Sequence, residues 1–390
     1  MNHDERYAWV QLALTPYVGA ESFLLLLKHY GSATAALRAP AAEVARIVHY
    51  KQALRAWQGE SGLAQEAADK AFQWAGADGC RLLLLSDDDF PPLLSEGMTP
   101  PPLLFVRGQL ECLNRSAVAI VGSRHATPQA MRIACDFGQA LSEQGIVVVS
   151  GMAAGIDTAA HQGALKGEGG TVAVLGTGID RIYPQSNRQL AYEIAEKGLL
   201  VSEFPLGTRP LAANFPRRNR IIAALSAATL VVEAAVESGS LITARLAAEM
   251  GREVMAVPGS INNPHSKGCH RLIKDGAKLV ECIEDIVSEC VGWQTAQNKP
   301  AQHTPEPARA APVRADNLAL PIENMPVETA VEQEEQANLL SMMGFDPVHP
   351  DTLSERLSKP AGDIYAELLL LELDGVVAAM PGGRYQRIRR

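Results

Sequence analysis

Between residues 117 and 280 the chain repeats one unit: a short apolar run, a loop of glycine and other small residues, then an amphipathic helical pattern. The runs are Ala117–Val121, Ile146–Val149, Thr171–Leu175, Leu199–Ser202, Thr229–Glu233 and Glu253–Val257, with Lys278–Val280 as an edge. Helical patterns fall between them at Pro128–Gln144, Ile156–Leu165, Asn187–Lys197, Ile242–Met250 and Cys269–Asp275. Strands that alternate with helices at this spacing predict an α/β fold with a doubly wound parallel sheet. Ligands of such sheets bind beyond the carboxyl ends of the strands, which is where the glycine loops gather.

The stretch Asn214–Gly259 carries the most specific signals. Gly251 stands just after its helical pattern, where a helix C-terminus favours glycine. Ser238-Gly239-Ser240 falls between strand and helix, a place where bare N–H groups and the helix dipole favour a phosphate. Upstream, Arg217-Arg218-Asn219-Arg220 opens a helix whose apolar face is Ile221, Ile222 and Leu225. Successive helical residues lie about 100° apart, so the three arginines cannot point the same way. Arg220 is expected to face away from the core, and Arg218 to lie over it. A buried arginine needs a partner. An ion pair with Glu203 or Glu233 and a contact with a ligand both remain open for Arg218.

Gly122-Ser123-Arg124 combines a bare turn, a hydroxyl and a guanidinium at another strand end, and Arg220 and Lys267 are expected on the same rim. Several adjacent phosphate sockets suit a polyphosphate chain, and single-stranded nucleic acid is such a ligand. No Walker-type loop occurs, and Gly176-Thr177-Gly178 lacks the third glycine of the dinucleotide fingerprint, so no cofactor is expected. Asp157 and His161 have the spacing of an orienting carboxylate and a general base. With no nucleophile or second acid beside them in sequence, local structural roles explain them better, and no catalytic residue is assigned. The cysteines at 80, 112, 135, 269, 282 and 290 lack metal-ligand spacing, so no metal site is expected. A net charge of −9 requires any nucleic-acid site to be a local basic surface. No apolar run reaches the roughly 18 residues of a membrane span. The N-terminus lacks the pattern of a signal peptide, so a cytoplasmic protein with no membrane partner is expected.

The flanks differ in composition. Residues 1–75 read as short helices, Tyr7–Leu14, Ala20–Tyr30, Ala33–Arg38, Ala41–Ile47 and Gly62–Trp74, in the manner of a helix-hairpin-helix or SAM-like domain. With Lys28 the only base in the helix after the turn, packing or protein contact is expected of it more than phosphate binding. The sheet domain spans 76–290, and Asp87-Asp88-Asp89 near its start reads as a solvated turn before Pro91-Pro92. Residues 291–335, rich in Pro, Ala, Gln and Glu, read as a flexible linker. Residues 336–390 read as a winged helix, with helices Gln336–Met343, Asp351–Leu357 and Gly362–Leu373 and strands Val376–Met380 and Arg384–Ile388. The Gly362–Leu373 helix presents Asp363, Glu367 and Glu372 and no base, which argues against sequence-specific duplex reading and for contact with protein or the core. Arg384, Arg387, Arg389 and Arg390 leave weak duplex binding open.

The motifs VGSR (121–124), SGMAAGID (150–157), AVLGTGIDRIYP (173–184), SEFP (202–205), FPRRNRIIAALS (215–226), VVEAAVESGSLITARLAAEMGREVMAVPG (231–259) and LIKDGAKLV (272–280) resemble the DNA-processing protein A family, DprA or Smf. The resemblance is nearly continuous from about 95 to 285, and the flanking domains agree with the longer family members. It implies an extended Rossmann-like core that binds single-stranded DNA, forms a homodimer and helps load the RecA recombinase during natural transformation. By motif, Gly122, Ser123 and Arg124 would hold phosphates and Arg218, Asn219 and Arg220 would form a second wall, with Arg217, Gly239, Ser240 and Lys267 completing the candidate set. Some members carry a DNA-contacting lysine where this chain has Ala212, and Arg217 or Arg209 would replace it. The end of the Rossmann unit, Leu272–Val287, is the candidate for dimer and recombinase contact. Two alternatives stand beside this one: a phosphoribohydrolase-like nucleotide hydrolase using Asp157 or Glu233, and a protein-only scaffold.

Overall fold

The computed structural model describes residues 1–48, 53, 54, 57, 61–294, 339–357, 359, 364, 367, 368, 371, 372, 376–380 and 384–388, in two compact units, Met1–Trp293 and Gln294–Arg390. The sheet of the first unit comprises β1 (Cys80–Leu84), β2 (Leu103–Gly108), β3 (Ala117–Val121), β4 (Val147–Ser150), β5 (Thr171–Val174), β6 (Leu199–Ser202), β7 (Ala228–Val231), β8 (Glu253–Ala256) and β9 (Lys278–Leu279). Their spatial order is β1-β2-β6-β5-β4-β3-β7-β8-β9. From β6 to β9 all neighbours are parallel, whereas β2 runs antiparallel to both β1 and β6. This is the doubly wound α/β core expected from the repeat and the extended Rossmann-like core that the resemblance implies, with the antiparallel pair at one edge.

Every residue of β3 to β7 is buried, because helices cover both faces of the sheet. That is why these strands are predominantly apolar, without the polar alternation of a half-exposed sheet, the exceptions being the buried Ser150, Thr171, Ser202 and Thr229. Val118 and Ile120 enter the core with helices Pro128–Glu143 and Ile156–Ala164, while Ala119 and Val121 face the helix Asn214–Leu225. The chain lays β4, β5 and β6 successively to one side of β3, then crosses back to place β7 on the other side. Strand order therefore reverses between β3 and β7, and the loops that leave these strands diverge there. In register, Val121 stands opposite Val231, so Gly122 and Val232 begin the two loops side by side.

Helices His3–Ala13, Ala20–Tyr30, Ala33–Arg38, Ala41–Val44 and Ser61–Ala75 form the N-terminal region. The first begins before Tyr7 because Asn2 accepts the Glu5 N–H at 2.8 Å and Asp4 and Glu5 complement the helix dipole. The region shares its core with the sheet. Trp9 Nε1 donates to the Pro102 carbonyl at 2.8 Å, and Trp74 meets Phe105 edge-on at 5.6 Å. Arg6 joins them by bonding Asp87 Oδ1 at 2.6 Å and the Leu82 carbonyl at 2.7 Å, and Arg81 pairs with Asp89 at 2.6 Å. The solvated turn expected at Asp87-Asp88-Asp89 is thus corrected: two of its three acids are engaged by arginines, one from a distant segment. Burial pushes the Asp87 carboxyl up, but the Arg6 and Leu84 hydrogen bonds and the charges of Arg6 and Arg81 hold it below its ordinary value.

The helix Ile283–Gln294 runs past residue 291, where a linker was expected to begin; the rest of that expected linker lies outside the described residues. In the second unit, helices Leu339–Met343 and Pro350–Leu357 pack with the hairpin β10 (Val377–Met380) and β11 (Arg384–Arg387) around Leu339, Met343, Leu353 and Val377. Val348 bridges to Tyr385, adding a third short segment to the wing. Of the acids expected on the third helix, Glu367 pairs with Lys359 at 2.6 Å and Glu372 accepts the Ala379 N–H at 3.2 Å. Asp363, most of that helix, Arg389 and Arg390 lie outside the described residues.

Candidate nucleic-acid interface

The site is built at the reversal between β3 and β7. Ser123 donates its N–H to the Glu233 carbonyl at 2.7 Å, and its own carbonyl accepts the Ile156 N–H at 3.2 Å. A Cβ on Gly122 would fall 2.6 Å from Ile156 Cγ1 and 2.9 Å from the Glu233 oxygen, so this turn admits no side chain. The tight turn leaves Arg124 exposed, with Cζ 5.2 Å from the Phe215 ring centroid and no ion pair among the described residues. Phe215 packs over Gly176, and its ring centroid lies 5.9 Å from that of Tyr183, which is 47% exposed. Arg124, Phe215 and Tyr183, with the backbone of Gly151, Ala153 and Gly176, wall a crevice beyond the ends of β3, β4 and β5. A cation beside two aromatic faces is the equipment for a phosphate and an unstacked base.

Arg218 lies beneath this crevice and is 4% exposed. The helix has begun at Asn214, four residues earlier, which turns Arg218 onto the face of Ile222. Its guanidinium donates to the carbonyls of Gly151, the first residue after β4, and, at 2.5 Å, of Val174, the last residue of β5; its Nε reaches Asn219 Oδ1 at 3.0 Å. Neither carboxylate considered for it from the sequence is its partner. Glu203 pairs with Arg220, and Glu233 accepts Thr127 N–H at 3.0 Å, Thr127 Oγ1 at 2.8 Å and Asn263 Nδ2 at 3.3 Å. Burial lowers the Arg218 pKa to about 10, Asp157 raising it and Arg124 lowering it further, so it stays charged at neutral pH. Its guanidinium is directed onto buried carbonyls, where it positions the loops, and not toward the exposed side of the crevice.

Arg220 is placed differently from the expectation. It does not project from the rim but is held by Glu203 and by the Thr99 carbonyl at 3.1 Å, toward the β6 and β2 side. Burial raises the Glu203 pKa, opposed by the charges of Arg220 and Arg217. Arg217 is exposed, its Cζ 5.4 Å from the Phe204 ring centroid, without an ion pair among the described residues. Asn219 Nδ2 reaches the Gly239 carbonyl at 3.4 Å, tying this helix to the start of the helix Ser240–Glu249. Gly239 is exposed with open space where a Cβ would stand, so its backbone can be approached closely, while Ser240 is buried with its hydroxyl 2.7 Å from that of Ser238. Lys267 folds onto the Ile261 carbonyl beyond β8, two strands from Arg124, and so is not brought into the crevice.

The pair Asp157 and His161 serves the fold. Asp157 accepts N–H bonds from Gly151 at 3.1 Å and Ala153 at 3.3 Å, holding the Ser150–Gly155 loop. Its burial pushes the carboxyl up, against the charge of Arg218. His161 Nδ1 lies 2.7 Å from Thr171 Oγ1, which itself donates to the Val148 carbonyl at 2.6 Å, so Nδ1 carries the hydrogen. Burial, with the charge of Arg218, holds this imidazole neutral, its pKa lowered to about 3.

Phe215 and Tyr183 were not singled out from the sequence. They stand 32 positions apart, and neither belongs to a periodic pattern; only Phe215, half-buried at the first turn of a helix beside the arginines, offered a signal.

Comparison with known proteins accounts for this arrangement. The family model described as DNA recombination-mediator protein A matches residues 81–291. Protein Smf of Escherichia coli is 40% identical over 330 residues, which cover 84% of this chain and 82% of that protein. The chain belongs to the DprA/Smf family. Models of the DprA-like N-terminal HHH domain and the DprA winged helix domain match residues 3–50 and 323–383. The DNA processing protein DprA of Streptococcus pneumoniae is 48% identical over 203 residues, 52% of this chain and 72% of that one. A crystal structure of DprA from the same species superposes with a TM-score of 0.63 and 36% identity, covering 74% of this chain and 98% of that chain. DprA from Helicobacter pylori, solved to describe its single-stranded DNA binding mode, superposes with a TM-score of 0.50 and 29% identity over 54% of this chain and 96% of its own. Among the described residues no helix is long and apolar enough to cross a membrane.

Proposed function

We propose that this chain is a non-catalytic mediator that binds single-stranded DNA, protects the incoming strand as a homodimer, and helps load RecA recombinase during natural transformation. The observation that carries this is the exposed Arg124 guanidinium, without an ion pair among the described residues, against Phe215 and beside exposed Tyr183. A phosphate meets the cation while its base meets a π face, and a base is free to do so only when unpaired. Gly122, Ser123 and Arg124 hold one phosphate; Arg217, Asn219, Gly239 and Ser240 line the next stretch of the rim, and Arg218 and Arg220 support it from beneath. The exposed Arg209 substitutes for the cation that Ala212 lacks. The family likeness, including the H. pylori relative described as binding single-stranded DNA, supports the same reading.

The hydrolase alternative needs a free carboxylate, and both candidates are spent: Asp157 on two backbone N–H groups, Glu233 on Thr127 and Asn263. Loading is tested by following RecA assembly on a strand coated with single-strand binding protein. The wild-type chain should shorten the lag and Arg124→Ala should not; equal lags with and without the protein would remove loading from the proposal while leaving strand binding to be judged by its own titration.

A further inference from the structure

Beyond Tyr183 the same surface carries a second aromatic and cation. The helix Arg188–Lys197 presents Arg188 and Tyr192 to solvent, Tyr192 being 47% exposed. Arg188 Cζ stands 5.7 Å from the Tyr192 ring centroid, and its Nε and Nη2 lie 3.3 and 3.2 Å from the tyrosine oxygen, which holds the ring against the guanidinium. The start of this helix is pinned to the crevice: Asn187 Nδ2 donates to the Met152 carbonyl at 2.9 Å and to Thr158 Oγ1 at 2.8 Å, both beside the Ser150–Gly155 loop. Tyr183 and Pro184 line the crevice itself, so Arg188 follows it directly and Tyr192 stands about 6 Å further along the helix axis. Of the nearby acids, Asp180 caps the Gly207 N–H at 2.9 Å and Glu193 accepts from Gln189 at 3.3 Å, while Glu196 is exposed one turn beyond Tyr192. Arg181 is exposed without an ion pair among the described residues.

We infer that the bound strand continues from the Arg124 crevice over Tyr183 and onto the Arg188–Tyr192 pair, where a further base stacks on Tyr192 and its phosphate meets Arg188. The inference rests on the single-strand proposal above and extends it to residues that proposal does not use. Occupancy by nucleic acid follows from continuity with the crevice and from the chemistry of the pair, since a rigid ring backed by a guanidinium offers stacking area to any base. The competing role, an intrahelical pair four residues apart that only steadies the helix, would be indifferent to strand length.

The test uses the full chain and labelled oligothymidylates of about 4 and about 16 nucleotides, read by fluorescence anisotropy. Wild type should bind the longer strand more tightly. Tyr192→Ala should lose roughly 5- to 100-fold on the longer strand with the short strand unaffected, the span expected for removal of one base stack. Tyr192→Phe, which keeps the ring but not the bonds from Arg188, should lose far less than Tyr192→Ala on the longer strand, and Arg188→Ala should weaken the longer strand and flatten its salt dependence. Equal binding of the longer strand by wild type and Tyr192→Ala would overturn the inference, as would equal loss at both lengths. Wild type failing to bind either length would overturn the single-strand proposal and this inference with it, an outcome distinct from failure of the extension alone.

Discussion

Replacing Arg218 by methionine separates positioning from contact. The substitution keeps an unbranched apolar stem and removes the buried guanidinium together with its bonds to the Gly151 and Val174 carbonyls and to Asn219. A buried carbonyl left without a donor costs about 1–3 kcal/mol. Asp157 loses the charge of Arg218 that opposes the effect of its burial, so its carboxyl is pushed further up. The total falls near the roughly 3–5 kcal/mol found when one partner of a buried charged network is removed. All four tryptophans, at 9, 57, 74 and 293, lie in the Met1–Trp293 unit, so tryptophan fluorescence in a urea titration reports on that unit alone. Arg218→Met should lower its midpoint by the equivalent of about 3 kcal/mol or more. DNA affinity should fall as the loops around the crevice loosen. A stability change under about 1 kcal/mol accompanied by a large loss of affinity would show instead that Arg218 reaches the strand itself.

Two further outcomes follow from buried titratable groups and the arginine contacts. Because burial lowers the folded His161 pKa from 6.5 to about 3, the unfolded chain takes up a proton on acidification that the folded chain refuses. Its contribution is complete above the unfolded pKa and declines as pH falls: by about pH 5 roughly 1.5 pKa units, or about 2 kcal/mol, have been lost. Urea titrations of wild type and His161→Gln should show that much difference in slope between about pH 7.5 and pH 5, whereas an imidazole resonance titrating near its ordinary pKa would contradict the assignment. Asp87→Asn should weaken the union of the N-terminal helices with the sheet by about 1.5–3 kcal/mol, the range for a charged hydrogen bond. Proteolysis of the Met1–Ala75 region in that variant should quicken, and unchanged protection would mean that Trp9, Trp74 and their neighbours hold the region without the ion pair.

The alternating units of residues 117–280 made the parallel core readable in advance, since a strand covered on both faces is predominantly apolar and β3 to β7 are, with one small hydroxyl residue in each of β4 to β7. That Gly122 sits in a turn at the end of β3 was readable from the glycine after an apolar run, and the structure leaves no room there for a Cβ. The 3.6-residue period also placed Arg218 over the core, but its partners are backbone carbonyls, which carry no residue signature. Glu203 was considered for Arg218 and belongs to Arg220, because helical phase separates the two arginines and only Arg220 turns toward the end of β6. Asp87 looked like part of a solvated acidic turn since its partner, Arg6, lies 81 residues away. The same long-range assembly brings Phe215 to Tyr183 and Arg124, a juxtaposition set by strand order and invisible to local periodicity.

The central claim rests on Arg124. Fluorescence anisotropy of wild type and Arg124→Ala, with a labelled single strand and its duplex at a low and a high salt concentration, addresses it most directly. Wild type should prefer the single strand and lose affinity steeply with salt, because phosphate contacts release counterions. Arg124→Ala should weaken single-strand binding by roughly 10- to 100-fold, as expected for one charged hydrogen bond of about 1.5–3 kcal/mol, with its urea midpoint unchanged. Equal affinity in the variant, or indifference of the wild type to salt and strandedness, would contradict the assignment of this crevice to single-stranded DNA.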